Sequence, residues 1–476
     1  MDVIPCHHFA RRRALMVTDK NISKLPGHEI EELKALGAAH FWPHARATGD
    51  MSDEKGIKLV TGAKGVWVYG ADGKKYFDMI SGMWLKNIGH GRTEIAEAVY
   101  EQMKEMSYSP GGTVTPATVK LSAKVASISP DKDSRVYLVS GGSEAVESAV
   151  KMAKKYQHNV GQPNRYKVIS RRGSYHGATH AAMALGGNVV NRLVDYGPVM
   201  PGNVHITNHD SYRGLCSESG ECNLQCAKEL ERTIIHENPE TVAAFIGEPI
   251  SIAAGIHNPH PDYWPMIRGI CDKYGVVMIA DEVITGFGRT GKMFATEHWK
   301  VKPDIFTVAK ALTSGYLPIG AAIASKKISD AMLGDGDQTF RHLITFGGNP
   351  ASCAAGLANL EIMENEGVVQ NSAKMGSYMY EQLQTMYEHP TVGHVRGGMG
   401  MLGAVELVKN RDTKEPFPAS VHIDAKVGEA MARRGMIGRG FNGIIFFAPP
   451  LTTTKSEIDW LVKQTDEVIT EVESKL

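Results

Sequence analysis

No apolar run in this chain reaches the ~18 residues that a membrane-crossing helix needs. The first twenty residues, MDVIPCHHFARRRALMVTDK, lack the apolar core of a secretory signal. Arg11, Arg12 and Arg13 resemble a fragment of a mitochondrial presequence, but Asp2 and the short length argue against one. The segment reads as a solvated leader and the protein as cytoplasmic. Charge of either sign is not in excess: 52 basic and 52 acidic residues give a formal net charge of zero. Nothing therefore points to nucleic acid or an acidic membrane as partner. Cysteine is scarce, with six in 476 residues. Cys6, Cys271 and Cys353 are scattered, while Cys216, Cys222 and Cys226 cluster in LCSESGECNLQC, with His209 nearby. Their spacing is not that of a zinc ribbon or finger, so packed thiols in a reducing compartment are preferred to a metal or redox site, and no metal is expected. The 50 glycines show no short period, which excludes collagen-like and repeat architectures.

What the chain does have is a series of short, continuous apolar runs. Residues 135–140 (RVYLVS), 166–170, 241–247 (TVAAFIG), 276–280 (VVMIA), 305–309 and 319–324 read as strands. Helical patterns separate them, as in SEAVESAVKMAKKY, where Ala145, Ala149, Met152 and Ala153 recur at helical spacing. Such strands predict an α/β protein whose mainly parallel sheet is buried on both faces. After about Thr345 the texture changes. A long helix (ASCAAGLANLEIMENE), two strands (MLGAVEL and GIIFFAPPL) and a terminal helix from Lys455 predict a smaller α+β domain. GVWVYGADGKKYFDMI reads as a hairpin turning at Asp72–Gly73 that could join it. The expected division is residues 1–85 as an N-terminal segment joining the small domain, 86–345 as the large domain and 346–476 as the small one.

Two glycine-rich stretches imitate nucleotide motifs. Gly398–Gly403 matches a dinucleotide fingerprint, but AVELV after it reads as a strand, where the fingerprint needs a helix N-terminus. GFGRTGK, from Gly286 to Lys292, nearly matches a phosphate loop, but Met293 stands where a Ser or Thr should hold magnesium. A nucleotide-binding reading is set aside on these grounds.

The chemistry concentrates where the strands end. Gly142 and Ser143 follow one strand and open a helix, offering N–H groups, a hydroxyl and the helix dipole to a phosphate, or simply an N-cap. Tyr175, His176 and Gly177 follow another. Asp281 comes directly after five apolar residues, a costly place for an unpaired carboxylate. Lys310 stands at the matching place one β-unit later. A buried Asp281–Lys310 ion pair is one explanation. The other is a single ligand with a phosphate, an aromatic ring, a basic ring nitrogen and an aldehyde, which describes pyridoxal 5′-phosphate.

SGGSEA, YHG, EP, IADEVITGFGRTG, AKAL and TFGGNP stand in an order and spacing that resemble class III aminotransferases of fold type I over nearly the whole length. Within that class the sequence is most similar to amine–pyruvate (omega) transaminases, taurine– and β-alanine–pyruvate types included. The resemblance implies the fold type I pyridoxal-phosphate transferase architecture: a large domain with a mainly parallel seven-stranded sheet, and a smaller α+β domain. It implies that Lys310 holds the cofactor's aldehyde as a Schiff base and shuttles the proton. Asp281 would keep the pyridine nitrogen protonated, Val283 and Tyr175 would flank the ring, and Gly142 and Ser143 would hold the phosphate, with His176, Gly177 and the "EP" Glu248 beside the cofactor. Thr345 would reach the phosphate of a neighbouring subunit, which implies a homodimer with shared active sites, or a tetramer of two such dimers.

Phe446 stands in GIIFFAPP where ornithine- and GABA-type members carry a carboxylate-binding arginine. The resemblance offers Arg439 in its place, as a mobile side chain for the carboxylate of pyruvate or alanine. Trp84, Met83 and Tyr108 would line the pocket. The implied reaction is a ping-pong transfer from a small-molecule amine or omega-amino acid to a keto acid. Its alternatives are another reaction on the same cofactor and fold, an aminomutase, racemase or decarboxylase, or transfer to 2-oxoglutarate.

Overall fold

The computed structural model describes residues 24–44, 57–187, 193–210, 212–214, 223–334 and 336–476. The leader before residue 24, with Cys6, and the clustered Cys216 and Cys222 lie outside the described residues. Cys226 is buried on the helix Gln225–His236. Among the described residues no helix is long and apolar enough to cross a membrane.

Seven strands form the central sheet. Their order across it is Arg135–Val139, Gly320–Ala324, Ile305–Val308, Val277–Asp281, Val242–Gly247, Lys167–Arg171 and Asn203–Ile206. Gly320–Ala324 pairs antiparallel with both of its neighbours, and every other pairing among the inner strands is parallel. Six strands therefore share one direction. All residues of Val242–Gly247, Val277–Asp281, Ile305–Val308 and Gly320–Ala324 are buried. That is why the sequence shows them as unbroken apolar runs rather than as alternating ones. Each fully buried Val, Ile or Phe in such a strand contributes about 1.5–3 kcal/mol. Helix Gly142–Asn159 packs Val146, Ala149, Met152 and Ala153 on one face of the sheet, against Ile246, Ile279 and Ala322. Helix Tyr263–Tyr274 covers the opposite side with Trp264 and Ile267 over Phe245 and Met278.

The edge strand Asn203–Ile206 has no counterpart among the predicted elements. It is four residues long and only Ile206 is buried, so no apolar run announces it. In the other six strands of the central sheet the ends shift by at most one residue from the predicted ones; in the smaller sheets Val60–Lys64, Val392–Gly397, Met436–Ile437 and Gly440–Phe441 have no predicted counterpart, and GIIFFAPPL narrows to Ile444–Phe447.

Two smaller sheets flank this core. Val392–Gly397, Gly403–Leu407, Ile444–Phe447 and Gly440–Phe441 form an antiparallel one. The second joins Val60–Lys64, Trp67–Gly70 and Lys75–Asp78 to Met436–Ile437, which pairs parallel with the third strand. The N-terminal hairpin is thus hydrogen-bonded to a strand some 360 residues later, Met436 opposite Phe77. Its turn has the sequence-encoded form: Asp72 Oδ1 accepts from the Lys74 N–H at 3.0 Å. The stretch Gly398–Leu402 is the connection between two antiparallel strands, and a strand, not a helix, follows it.

Candidate active site

Because six strands run the same way, their C-terminal ends share one edge of the sheet. That edge is where open α/β sheets bind ligands. Ser140 and Gly142, Tyr175, Glu248, Asp281 and Lys310 each lie just beyond a strand, or at its last residue. They meet around a cavity of about 470 Å³. Its lining includes Gly142, Ser143, Tyr175, His176, Gly177, Glu248, Asp281, Val283 and Lys310. Nine of the residues singled out in the sequence are therefore brought together.

The helix Gly142–Asn159 begins at this cavity with Gly141 as N-cap and no side-chain cap. Ser143 does not cap it; its Oγ instead accepts from the Ala178 N–H at 3.0 Å, tying the YHG segment to the helix start. Gly177 makes that approach possible: at its φ of +141° an added Cβ would stand 2.6 Å from Ser143 Oγ and 2.9 Å from Ser143 Cα. The positive end of the helix faces the cavity without a side chain to satisfy it, an arrangement suited to an anion.

Asp281 is buried and fully engaged. Its Oδ2 accepts from His176 Nδ1 at 2.7 Å, and its Oδ1 accepts from Thr307 Oγ1 at 3.0 Å and from the Val283 N–H at 3.1 Å. These three donors fix the position of the carboxylate. No ion pair joins Asp281 to Lys310; the carboxylate pairs with His176 instead.

Lys310 follows the strand Ile305–Val308 in a left-handed backbone conformation, φ +39°, which non-glycine residues rarely adopt. Its ammonium has no hydrogen bond or ion pair to any described residue. Burial lowers its pKa, partly opposed by the charges of Asp281 and Glu248. Glu248 forms no strand-end salt bridge. Its carboxylate accepts from the backbone N–H groups of Tyr175 at 3.2 Å and Ile252 at 3.1 Å. Burial raises its pKa, and the charges of His176 and Arg171 oppose that rise.

Sequence reasoning missed the residues that hold this machinery. Asn359, fully buried on helix Pro350–Asn365, donates to the carbonyls of Ala311 and Leu312 at 2.9 and 3.1 Å and accepts from Ser314 Oγ at 2.7 Å. It is the scaffold of the turn that carries Lys310, and nothing in its local sequence signals this. Asn359→Leu should strand both carbonyls and destabilise the protein by about 2–3 kcal/mol; a denaturation midpoint equal to wild type would refute this role. Thr307 had a signal, a hydroxyl inside an otherwise apolar strand. Asn349, from TFGGNP, caps that helix by accepting from the Ser352 N–H at 3.2 Å, ahead of Pro350 at its first turn.

The remaining singled-out residues lie apart. Trp84 is buried with its ring edge-on to Phe446, centroids 5.7 Å apart, and its neighbour Leu85 lines the cavity. Met83 is about half exposed, at 52 %. Arg439 has no ion-pair partner among the described residues, and its charge acts on the Tyr175 phenol at the cavity. Tyr108 and Thr345 line a separate, smaller pocket, where the Tyr108 hydroxyl donates to the Thr345 carbonyl at 2.8 Å.

The donor set fits pyridoxal 5′-phosphate: an uncapped helix end for the phosphate, a fixed carboxylate for the ring nitrogen and an unpaired amine for the aldehyde. Comparison with known proteins agrees. The family model for class-III aminotransferases matches residues 50–469. The taurine–pyruvate aminotransferase of Bilophila wadsworthia is 37% identical over 459 residues, covering 94% of this chain and 99% of the relative. The diaminobutyrate–2-oxoglutarate transaminase of Halomonas elongata is 36% identical over 431 residues, 88% of this chain and 91% of the relative. The crystal structure of an omega-transaminase from Pseudomonas jessenii in complex with PMP superposes with a TM-score of 0.88 at 31% identity, covering 93% of this chain and 98% of that one. With the family model spanning most of its length, this chain belongs to the class-III aminotransferases and is a pyridoxal 5′-phosphate-dependent enzyme.

Proposed function

We propose that the enzyme moves an amino group from an amine or omega-amino acid to pyruvate in a ping-pong reaction, with Lys310 as the residue that holds the cofactor. The observation that carries the catalytic part is the pairing state of the two charged groups. Asp281 is saturated with donors, whereas the Lys310 amine, in the same cavity, is left without one. A merely structural lysine would take the nearby carboxylate as its partner.

When bound, pyridoxal 5′-phosphate supplies an aldehyde that exchanges with amines and a ring that accepts the electrons of a carbanion. The chain supplies the rest. The helix end at Gly142 and Ser143 binds the phosphate. Asp281, oriented by His176 and Thr307, holds a proton on the ring nitrogen. Lys310 Nζ removes the proton from the donor's amine-bearing carbon, and its lowered pKa favours the neutral amine that this requires. Val283 and Tyr175, which line the same cavity, would flank the ring.

Pyruvate is favoured as acceptor because the position open to a second carboxylate-binding arginine is filled by Phe446, packed on Trp84. Arg439 is then the cation available near Tyr175, and a guanidinium suits a carboxylate by its planar fork. Arg439→Ala should raise the KM for pyruvate roughly 10–100-fold, as expected for losing a charged hydrogen bond, with little change in kcat. An unchanged KM would remove this assignment. The pyruvate-specific name of the Bilophila relative supports the acceptor; the 2-oxoglutarate-specific name of the Halomonas relative makes the opposite outcome the natural control. A panel of amines and omega-amino acids, offered with pyruvate and with 2-oxoglutarate while alanine and glutamate are followed separately, tests the reading. Glutamate forming faster than alanine would overturn it.

The active form is proposed to be a homodimer. Leu343, Phe346 and Val114 are exposed at 82, 61 and 69 %, and form an apolar face around Thr345 and Tyr108. A second copy would cover it and bring Thr345 to the neighbouring phosphate site. Light scattering that returned a monomer mass at assay concentration would contradict this.

A further inference from the structure

The two glycine motifs that imitate nucleotide loops are packed against each other. The Met401 N–H donates to the Arg289 carbonyl at 3.0 Å. An added Cβ on Gly400, at φ +61°, would stand 2.3 Å from the backbone carbon of Thr290 and 2.4 Å from the Arg289 oxygen. Only glycine allows this contact, and the contact seats Arg289.

The Arg289 side chain is fully buried where four segments meet. Its Nη1 donates to the carbonyls of Pro449 at 2.6 Å and Met401 at 3.2 Å. Its Nη2 donates to Asn87 Oδ1 at 2.7 Å and Ser81 Oγ at 3.1 Å. No carboxylate bonds to it. A buried guanidinium with no carboxylate bonded to it is costly, the charge of Asp78 only partly offsetting its burial, and the rigid fork that bears it can hold several acceptors in fixed relation.

What it holds is strained. Ser81, Gly82 and Trp84 all have positive φ, at +50°, +68° and +64°. Such a segment persists only where its surroundings over-determine it. Here Asp78 accepts from the Gly82 N–H at 2.6 Å, Ser81 Oγ donates to the Ala448 carbonyl at 2.6 Å, and Asn87 Nδ2 donates to the Phe287 carbonyl at 2.8 Å. The segment delivers Trp84 to Phe446 and Leu85 to the cavity wall. Leu85 packs hard on Gly315, in the turn that begins at Lys310.

We propose that Arg289 is a positioning residue that sets substrate specificity: by clamping Ser81 and Asn87 to Met401 and Pro449 it places Trp84 and Leu85, and so fixes the room beside the reacting amine. This inference rests on the functional reading above, with the donor amine reacting in the cavity that Leu85 helps to wall. Arg289 touches neither cofactor nor substrate, so its loss acts through geometry.

The test uses cofactor-loaded Arg289→Met and Ser81→Ala enzymes, with pyruvate as acceptor and two branched amines of different size, 2-aminobutane and 1-phenylethylamine, as donors. In Arg289→Met the ratio of kcat/KM should shift toward the aryl amine by on the order of tenfold, mainly through KM, while the cofactor's visible absorbance is retained. Ser81→Ala removes one of the four Arg289 bonds, together with the Ser81–Ala448 bond, and leaves the other three Arg289 bonds, so it should shift the ratio in the same direction by less. An equal fall for both donors, with the ratio unchanged in folded, cofactor-loaded protein, overturns the proposal. If Arg289→Met does not fold, Ser81→Ala decides by the same ratio. A wild-type enzyme that transfers from neither amine nor any other donor overturns the functional reading itself and the proposal with it, a result distinct from an unchanged ratio.

Discussion

Lys310→Ala is expected to slow alanine formation by about 10⁴-fold or more, since it would remove the proposed covalent anchor and proton-transfer base together. The visible absorbance of the bound cofactor should disappear with it. Lys310→Arg separates this from a charge effect. It keeps a cation in the cavity, so an ion-pairing role would be rescued, whereas a role for a free amine would not. Unfolding would not explain the loss either. Burial lowers the Lys310 pKa below the usual lysine value of 10.5. A base with a depressed folded pKa destabilises the native state while protonated; that penalty is fully present below the folded pKa and fades as pH rises toward 10.5. At neutral pH, cofactor-free Lys310→Ala should therefore melt at the same temperature as cofactor-free wild type or higher. A variant that keeps the absorbance and more than a hundredth of the activity would remove Lys310 from its assigned place.

Asp281→Asn should lower kcat by about 10²–10³-fold, the range for losing one preorganised electrostatic partner of a developing charge. The substitution keeps the size of the side chain and removes its charge. It also faces an amide toward a triad of donors, His176 Nδ1, Thr307 Oγ1 and the Val283 N–H, that an amide oxygen alone cannot satisfy. Because the proposed site would hold the cofactor elsewhere as well, at the helix end and Lys310, the visible absorbance should persist. Thr307→Val removes one of the three supports and should cost less than Asp281→Asn. Equal activity of Asp281→Asn and wild type would show that the carboxylate serves only to pair with His176.

Lys310 and Asp281 were legible in the sequence because charges are expensive at the ends of apolar strands, and a chain retains them there for a reason that can be named. The same contrast marked the sheet: strands buried on both faces must be apolar throughout, so Val242–Gly247 and Val277–Asp281 stand out. The helix start at Gly142 was visible from a strand ending in two glycines.

Other features had no such mark. Asn203–Ile206 is an edge strand with one buried residue, so it carries almost no hydrophobic signal. Asn359 and Arg289 each look like ordinary polar residues in their own neighbourhoods. Their roles lie in bonds to carbonyls 47–48 and 112–160 positions away. The sequence by itself determined the parallel sheet and the charged residues at its edge, because burial cost and strand periodicity are local, while the kind of cofactor followed from the resemblance to class III aminotransferases. Tertiary structure alone decided that Asp281 pairs with His176 and leaves Lys310 free, that two glycine loops meet to seat Arg289, and that a strained turn delivers Leu85 to the cavity wall. Hydrogen bonds between distant segments depend on which surfaces the folded chain brings within about 3 Å, and no local pattern encodes that distance.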